Sequence, residues 1–428
     1  MNRIRTWKRL GIFALLGLLF SWVISCRPSP TPSASPEIEF WTMQLQPQFN
    51  DYFNNLISTF ESENPGVKVR WVDVPWSAME SKILTAVSAK TAPDVVNLNP
   101  NFASQLASRN AWMELDAKVS EPDRKQYLPK IWKASTLNEK SFGIPWYLTT
   151  RVTIYNQDLL KQAGVSKPPA TYEELAQVAQ QVKDKTGKYA FFVTFVPEDS
   201  GEVLESFVQM GVSLVDNQGN AAFNTPEGIT AFKYWVDLYK KGLLPREVLT
   251  QGHRNAIELY QAGETALLAS GAEFLKTIET NAPAIAKVSA AAPQITGETG
   301  KKNVAVMNLV IPRDTPKPDE AFKFALFVTN TENQLAFAKA ANVLPSTVEA
   351  VEAYKKELSS NANASPVEQA RNVSASQLQD AEVLVPAMKD LNKLQKAIYE
   401  NLQAAMLEEK TVEQAVADAA QEWNSSRS

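Results

Sequence analysis

The 428-residue chain contains a single cysteine, Cys26, and a single histidine, His253. A lone cysteine has no partner within the chain, which excludes an intramolecular disulfide framework. Because zinc sites are built mainly from cysteine and histidine, the same scarcity argues against a zinc site, and we expect neither a metal nor a cofactor. His253 stands beside Arg254 with no nucleophile near it in the sequence, so it is interpreted as a surface residue.

An excess of basic charge is also missing. The chain has 43 Lys and Arg residues against 47 Asp and Glu residues, a formal net charge of −4. A nucleic-acid-binding surface needs clustered Lys and Arg to neutralise phosphates, and neither the count nor the pattern provides them. Nucleic acid is therefore not expected as a partner.

Motifs of covalent, zinc-dependent or nucleotide-dependent catalysis are absent: the sequence has no G-x-S-x-G, S-x-x-K, H-E-x-x-H, P-loop or G-x-G-x-x-G. The main enzyme alternative is a glycan-processing lipoprotein, which would need two carboxylates flanking one glycosidic bond. Glu198, Asp199 and Glu273 are candidates, but nothing in the sequence singles out a pair. The sequence thus predicts a binding protein and not an enzyme.

Only one long apolar run is present, Leu10–Ile24, and it follows a basic start. Its length of 15 residues is short of the roughly 20 that a membrane-spanning helix needs, so residues 1–25 are predicted to be a signal peptide. The tetrapeptide Val23–Cys26 resembles the bacterial lipobox, which implies that Cys26 is lipidated. The Pro- and Ser-rich residues 26–36 cannot form a core and are expected to be an extended tether.

The body of the chain alternates between strand and helix patterns. Residues 37–41, 67–72 and 93–98 are predicted strands, and amphipathic helices are predicted over 47–61 and 77–89. This order indicates a parallel sheet with helices on both faces, an α/β fold. Ligands of such sheets bind at the carboxyl ends of strands, and the residues there are Trp41, Trp76 and Asn99.

The same pattern continues in the middle of the chain. Thr171 and Glu174 predict a capping box at the start of a helix. Further strands are predicted over 189–195, 266–269 and 303–311, and helices dominate from residue 318 onward.

Six segments, in this order along the chain, are similar to those of the extracellular solute-binding proteins of ABC sugar importers, the group that includes maltose-binding protein. They are Phe40–Thr42, Phe60–Val69, Ala92–Val96, Gly143–Pro145, Ile154–Leu160 and Pro169–Leu175. The resemblance covers nearly the whole chain after the tether.

This resemblance implies two α/β lobes that close on a hinge around a solute. It implies a first lobe of residues 37–147 and 304–345 and a second of 148–303 and 346–428. The hinge crossings would lie near Tyr147, Asn303 and Pro345. We expect an extracytoplasmic, lipid-anchored monomer that delivers a sugar to ABC permease subunits. The alternative is a binder of a phosphorylated polyol, a compatible solute or another non-sugar solute.

A sugar site needs aromatic platforms together with carboxylate, amide or hydroxyl partners. The aromatic candidates at strand ends and at the crossover are Trp41, Trp76, Trp146 and Tyr147, whereas Trp71 and Trp235 are predicted core residues. The resemblance adds Asn99, Thr149, Glu273 and Asn308. Arg151 is open to two interpretations: it clamps an anionic solute such as a phosphorylated polyol, or it forms an ordinary ion pair.

Overall fold

A computed structural model describes residues 37–197, 199–360, 364–385, 388 and 390–427 of the protein. The predicted signal peptide, Cys26 and the tether lie outside the described residues, as does Glu198. In the described part of the chain, no helix combines the length and apolar character needed to cross a membrane.

The described part of the chain forms eleven strands. They are β1 (Glu37–Met43), β2 (Lys68–Val74), β3 (Val95–Leu98), β4 (Thr136–Leu137), β5 (Lys140–Ser141), β6 (Ile144–Asn156), β7 (Leu267–Gly271), β8 (Ser289–Pro293), β9 (Lys302–Val310), β10 (Leu344–Pro345) and β11 (Ala381–Glu382).

Helices cover these strands and form most of the carboxyl-terminal part. They are α1 (Asn50–Glu63), α2 (Trp76–Ser88), α3 (Pro100–Ala107), α4 (Glu121–Lys125), α5 (Pro129–Ala134), α6 (Gln157–Gln162), α7 (Tyr172–Thr186), α8 (Glu202–Gln209), α9 (Pro226–Lys240), α10 (His253–Gln261), α11 (Phe274–Asn281), α12 (Pro283–Lys287), α13 (Pro318–Val328), α14 (Thr331–Ala341), α15 (Val348–Ser360), α16 (Pro366–Gln377), α17 (Leu391–Met406) and α18 (Val412–Ser426).

The sheet is mixed. Strands β2, β1 and β3 are parallel to one another, as predicted, but β9, β6 and β10 follow in antiparallel pairs. The prediction of a parallel sheet is therefore correct for the first three strands and wrong for the rest. The reason is that the later strands return from distant parts of the chain, which no local pattern reveals.

Strand β6 belongs to two sheet regions at once. Its first part pairs with β9, and its second part lies between β7 and β8, antiparallel to both. Three clusters of buried side chains lie on the two sides of this crossing, two in the first lobe and one in the second. The first lobe is built around Phe40, Phe53 and Val96, and the second lobe around Ile154, Phe207 and Trp235.

A smaller cluster joins the lobes where the strands cross. It combines Leu148 and Val304 with Leu344 and with Tyr354 of α15. The fold is thus two-lobed and α/β, as expected, whereas the predicted residue boundaries of the lobes stay a prediction.

Local signals specify several elements. Thr171 caps α7, as predicted, by accepting a hydrogen bond from the Glu174 amide at 3.1 Å. The Glu174 carboxylate accepts from the amide of Ala170, one residue before the cap. The strand predicted over 189–195 is wrong in detail: this segment runs beside β7 but makes only the single bridge Tyr189–Thr265, so it is not a regular strand.

Candidate functional site

The register of the strands shows that the carboxyl ends of the two sheet regions face each other. Strand β3 ends at Leu98, opposite Asn308 of β9, and Asn308 pairs in turn with Pro145 near the start of β6. Strand β7 runs against β6 and ends at Gly271, opposite Arg151. Arg151 lies six positions after Pro145 in β6, about 20 Å of extended chain. The loops at both edges therefore border one cleft.

Trp76 provides an exposed aromatic surface at the carboxyl edge of the first-lobe strands. It follows β2, opens helix α2, and is 45% exposed, one of three large apolar side chains classed as exposed among the described residues. Its ring centroid lies 6.0 Å from that of Phe102. Asn99 caps helix α3 beside them, because its side-chain oxygen accepts from the Phe102 amide at 2.9 Å. The side-chain oxygen of Asn99 thus already serves a structural role as a helix cap.

Tyr147 and Thr149 occupy the part of β6 between the two lobes. Tyr147 is partly buried, and its ring packs against Phe337 with centroids 5.2 Å apart. Burial raises the pKa of its hydroxyl, and the carboxylates of Glu273 and Asp73 raise it further. Since Glu273 belongs to the second lobe and Asp73 to the first, Tyr147 lies under the influence of acids from both sides. Thr149 pairs with Ala305 and is partly buried.

Arg151 is held by acidic partners in the second lobe. Its Nε donates to Glu205 Oε2 at 2.9 Å, its Nη1 lies 3.9 Å from Glu202 Oε2, and its Nη2 donates to Ser200 Oγ at 3.4 Å. Burial alone would lower the pKa of the guanidinium, but Glu205 and Glu202 outweigh it and raise the pKa. The ion-pair interpretation of Arg151 describes this geometry, in which two carboxylates already compensate the cation.

Glu202 and His253 were not selected from the sequence as site residues. Glu202 Oε2 and His253 Nδ1 lie 4.0 Å apart, and both atoms are buried with no hydrogen-bond partner among the described residues. Burial raises the pKa of Glu202 to about 7, with Arg151 opposing and Glu205 adding to the shift. Burial also lowers the pKa of His253 to about 4, and the charge of Arg151 lowers it further.

The interpretation of His253 as a surface residue is therefore wrong. Its side chain is only 22% exposed, and its backbone amide donates to Asp199 Oδ2, in the loop before α8, at 2.7 Å. We call the group Arg151, Glu202, Glu205 and His253 the niche. The one sequence signal that could have pointed to it is the acidic pair Glu202 and Glu205 in the first turn of a helix.

Glu273 follows β7 at the cleft edge. Its carboxylate lies over Gly271, so a Cβ atom at that position would require the Glu273 side chain to move. Burial raises the pKa of Glu273 to about 7, although its own backbone amide and Arg151 act in the opposite direction. The second-lobe edge thus combines one compensated cation with several carboxylates.

Three predicted site residues lie in the first-lobe interior instead of the cleft. Trp146 is fully buried and stacks on Phe337 with centroids 4.8 Å apart. Trp41 is 6% exposed, two residues before the end of β1, and its Nε1 donates to Glu39. Asn308 is fully buried and accepts from Ser135 Oγ at 2.6 Å. Positions near strand ends were predictable, but the face to which each side chain points was not.

The core prediction is right for Trp235, which is 2% exposed, whereas Trp71 is only partly buried. Across the described part of the chain, no group of three or more His, Cys, Asp or Glu side chains is arranged to hold a metal ion.

Comparison with known proteins gives a consistent relationship. A family model described as bacterial extracellular solute-binding protein matches residues 46–335. A protein of Synechococcus sp. MITs9220, described as an oligosaccharide periplasmic-binding protein and solved in complex with zinc, is 49% identical. The match covers 91% of this chain and 98% of that one, with a TM-score of 0.86.

Two more distant relatives are named for their sugars. The cyclic alpha-maltosyl-1,6-maltose binding protein of Arthrobacter globiformis is 21% identical, covers 91% of this chain and 98% of that one, and has a TM-score of 0.77. The diacetylchitobiose binding protein of Streptomyces coelicolor is 25% identical over 330 residues, which are 74% of this chain and 73% of that protein.

Proposed function

Because the chain belongs to the bacterial extracellular solute-binding protein family, we propose that it captures a sugar between its two lobes and delivers it to an ABC importer. The family and the proteins that resemble the chain are binding proteins and not enzymes. In this proposal the protein works as a monomer on the outer side of a bacterial membrane, anchored through lipidated Cys26 and the tether of residues 26–36.

The observation that carries the proposal is the pairing of an exposed aromatic platform with acidic groups across one cleft. Trp76 projects from the first lobe, Tyr147 lies on the crossing strand, and Glu273 closes the second-lobe edge. Sugars present flat C–H faces that pack on aromatic rings and hydroxyls that donate to carboxylates. The named sugars of the Arthrobacter and Streptomyces relatives support the same ligand class.

An anionic solute is the alternative, and the charges of the cleft edge argue against it. The interpretation of Arg151 as the clamp for a phosphorylated polyol requires a free guanidinium, but Glu205 and Glu202 already pair with it. An anion would have to replace a carboxylate at 2.9 Å while lying near Glu273. We therefore favour a neutral sugar.

Hinge closure provides the mechanism of capture. The strands β6 and β9 connect the lobes. A solute can contact both lobes at the same time only when the cleft is closed. Such a solute binds the closed state better and shifts the population towards it. The closed form then presents one defined surface to the permease.

Calorimetric titration of the protein without its predicted signal peptide and tether, with neutral sugars and with sugar phosphates, tests the proposal. We expect at least one neutral mono- or oligosaccharide to bind, and Trp76→Ala to weaken that binding. The matched control is Leu407→Ala, which removes another exposed apolar side chain, at the carboxyl end of α17. Binding of the phosphates alone would contradict the neutral-sugar assignment.

Anchoring is tested separately in a bacterial host. Metabolic labelling with a clickable fatty acid should mark the wild-type protein, and Cys26→Ser should abolish both the label and membrane fractionation. Equal fractionation of the two proteins would reject the lipid anchor and leave the solute assignment untouched.

A further inference from the structure

Glu202 Oε2 and His253 Nδ1 form an unusual pair of buried polar atoms. Neither has a hydrogen-bond partner in the described part of the chain. A buried polar atom without a partner costs about 1–3 kcal/mol, so such atoms are rare in native proteins. Other unpartnered atoms, such as Asn97 Oδ1 and Trp146 Nε1, lie inside the first-lobe core, whereas these two face each other.

The distance between the two atoms suits a third group. At 4.0 Å they are too far apart to bond directly. An oxygen placed about 2.8 Å from both would make an angle of about 90° between them, which a hydroxyl accommodates. An ionised carboxylate only accepts, so the single hydroxyl proton goes to Glu202, and the hydroxyl oxygen accepts from the Nδ1–H of the neutral imidazole.

The side chains of this pair are not fully enclosed, since that of His253 is 22% exposed. Glu202 opens α8 directly after the loop of residues 199–201, and its side chain is 16% exposed. Arg151, its neighbour, lies opposite Gly271 at the carboxyl end of β7.

The surrounding charges select the kind of group that enters. Arg151 is the cation of the niche, and Glu202 and Glu205 flank it, with Asp199 bonded to the His253 amide. The local sum is negative, which repels carboxylates and phosphates. A neutral hydroxyl brings no charge and supplies both the missing donor and the missing acceptor.

We infer that Glu202 and His253 form a hydroxyl-recognising subsite for a neutral, polyhydroxylated solute. The inference rests on the proposed function and deepens it, since it names two contacts and requires a hydroxyl at one position of the sugar.

Affinity measurements on substituted proteins test the subsite. Maltose, sucrose, trehalose and diacetylchitobiose are titrated at pH 7.5 into wild type, Glu202→Gln and His253→Ala. For the best-bound sugar we expect each substitution to weaken binding at least about tenfold, the effect of losing one hydrogen bond to a buried charged or polar group. Arg254→Ala, a substitution of the adjacent residue with a 91% exposed side chain, is the matched control and should bind as wild type does.

Monodeoxy analogues of that sugar identify the hydroxyl. One analogue should bind wild type weakly and should lose no further affinity in Glu202→Gln, because the same hydrogen bond is already missing. If every analogue loses the same factor in wild type and in the variants, the niche holds only an ordered water and the inference is rejected. Unchanged melting temperatures in the variants establish that they fold.

His253 also gives a direct signal, because it is the only histidine of the chain. In tag-free protein labelled with ¹⁵N-histidine, a saturating bound sugar should shift the imidazole resonances and slow the exchange of the Nδ1 proton. An imidazole spectrum that does not respond to the bound sugar would reject the subsite. If no neutral mono- or oligosaccharide binds wild type, the sugar function itself fails and the inference falls with it.

Discussion

At the scale of single residues, the second-lobe edge contains ionisable groups whose environments oppose their charged forms. Burial raises the pKa values of Glu202 and Glu273 to about 7 and lowers that of His253 to about 4. Folding therefore changes protonation at each group, and stability depends on pH through all three.

The contribution of His253 has a defined sign. Its pKa is about 6.5 in the unfolded chain and about 4 in the fold, so stability is lost as pH falls through this window. The raised carboxyl pKa values act in the opposite direction, since their cost appears as pH rises from about 4.5 to 7.

We expect the ¹⁵N titration of His253 to show a midpoint near 4 instead of 6.5. His253→Gln should gain stability relative to wild type as pH falls from 7 to 4, by roughly 3 kcal/mol at most. Urea unfolding at several pH values measures the difference, and Arg254→Gln serves as the control. A midpoint near 6.5 would contradict the buried placement of the ring.

Trp146 and Trp76 make a second contrast at this scale. Trp146→Ala should reduce the free energy of unfolding by about 3–5 kcal/mol, because it empties a buried site that contacts Phe337. Trp76→Ala should change stability by less than about 1 kcal/mol while weakening sugar binding. Denaturant unfolding and calorimetry separate the two effects, and the reverse pattern would overturn the assignment of core and cleft.

At the scale of elements, local capping determines where the helices begin. Helix α7 starts at Thr171, whose side chain bonds the Glu174 amide, and the carboxylate of Glu174 bonds the Ala170 amide. These two contacts close the turn that connects α6 to α7. The strand β6 is the opposite case, because its role depends on partners from β7, β8 and β9.

Thr171→Ala should destabilise the protein by about 1 kcal/mol, since it removes the cap of α7. The control is Thr230→Ala in the middle of α9, where the exposed hydroxyl bonds the carbonyl of Pro226 four residues earlier. That change should be close to neutral, because alanine is the better helix former. Chemical denaturation compares the two variants, and equal losses would argue against a specific capping effect.

At the scale of the whole molecule, two separate cores are joined by β6, β9 and a small cluster at their crossing. This arrangement allows the lobes to rotate as bodies while each keeps its packing. The cleft between them is bordered by the facing carboxyl edges, so a solute bound there contacts both lobes.

Small-angle X-ray scattering should therefore show compaction when the bound sugar saturates the protein. We expect a smaller radius of gyration with sugar than without it, and a weaker response at the same sugar concentration in Trp76→Ala. The Leu407→Ala control should compact as the wild type does. A radius that does not change at saturation would contradict hinge closure.

The sequence by itself determined the class of the fold, most of the helices and strands, and the similarity to solute-binding proteins. These features follow from periodicity, capping and turn residues, which act over a few positions. Trp76 at a strand end was found in the same way.

Only the tertiary structure decided which side chains face the cleft. Trp41, Trp146 and Asn308 turned inward, because the packing of both sheet faces selects the orientation of each strand residue. Arg151 and His253 acquire their partners, Glu205 and Asp199, from positions 54 residues away. Contacts between residues so far apart in sequence depend on how the chain folds back on itself. The burial of Arg151 and His253, and the pKa shifts that burial causes, therefore arise only in the folded protein.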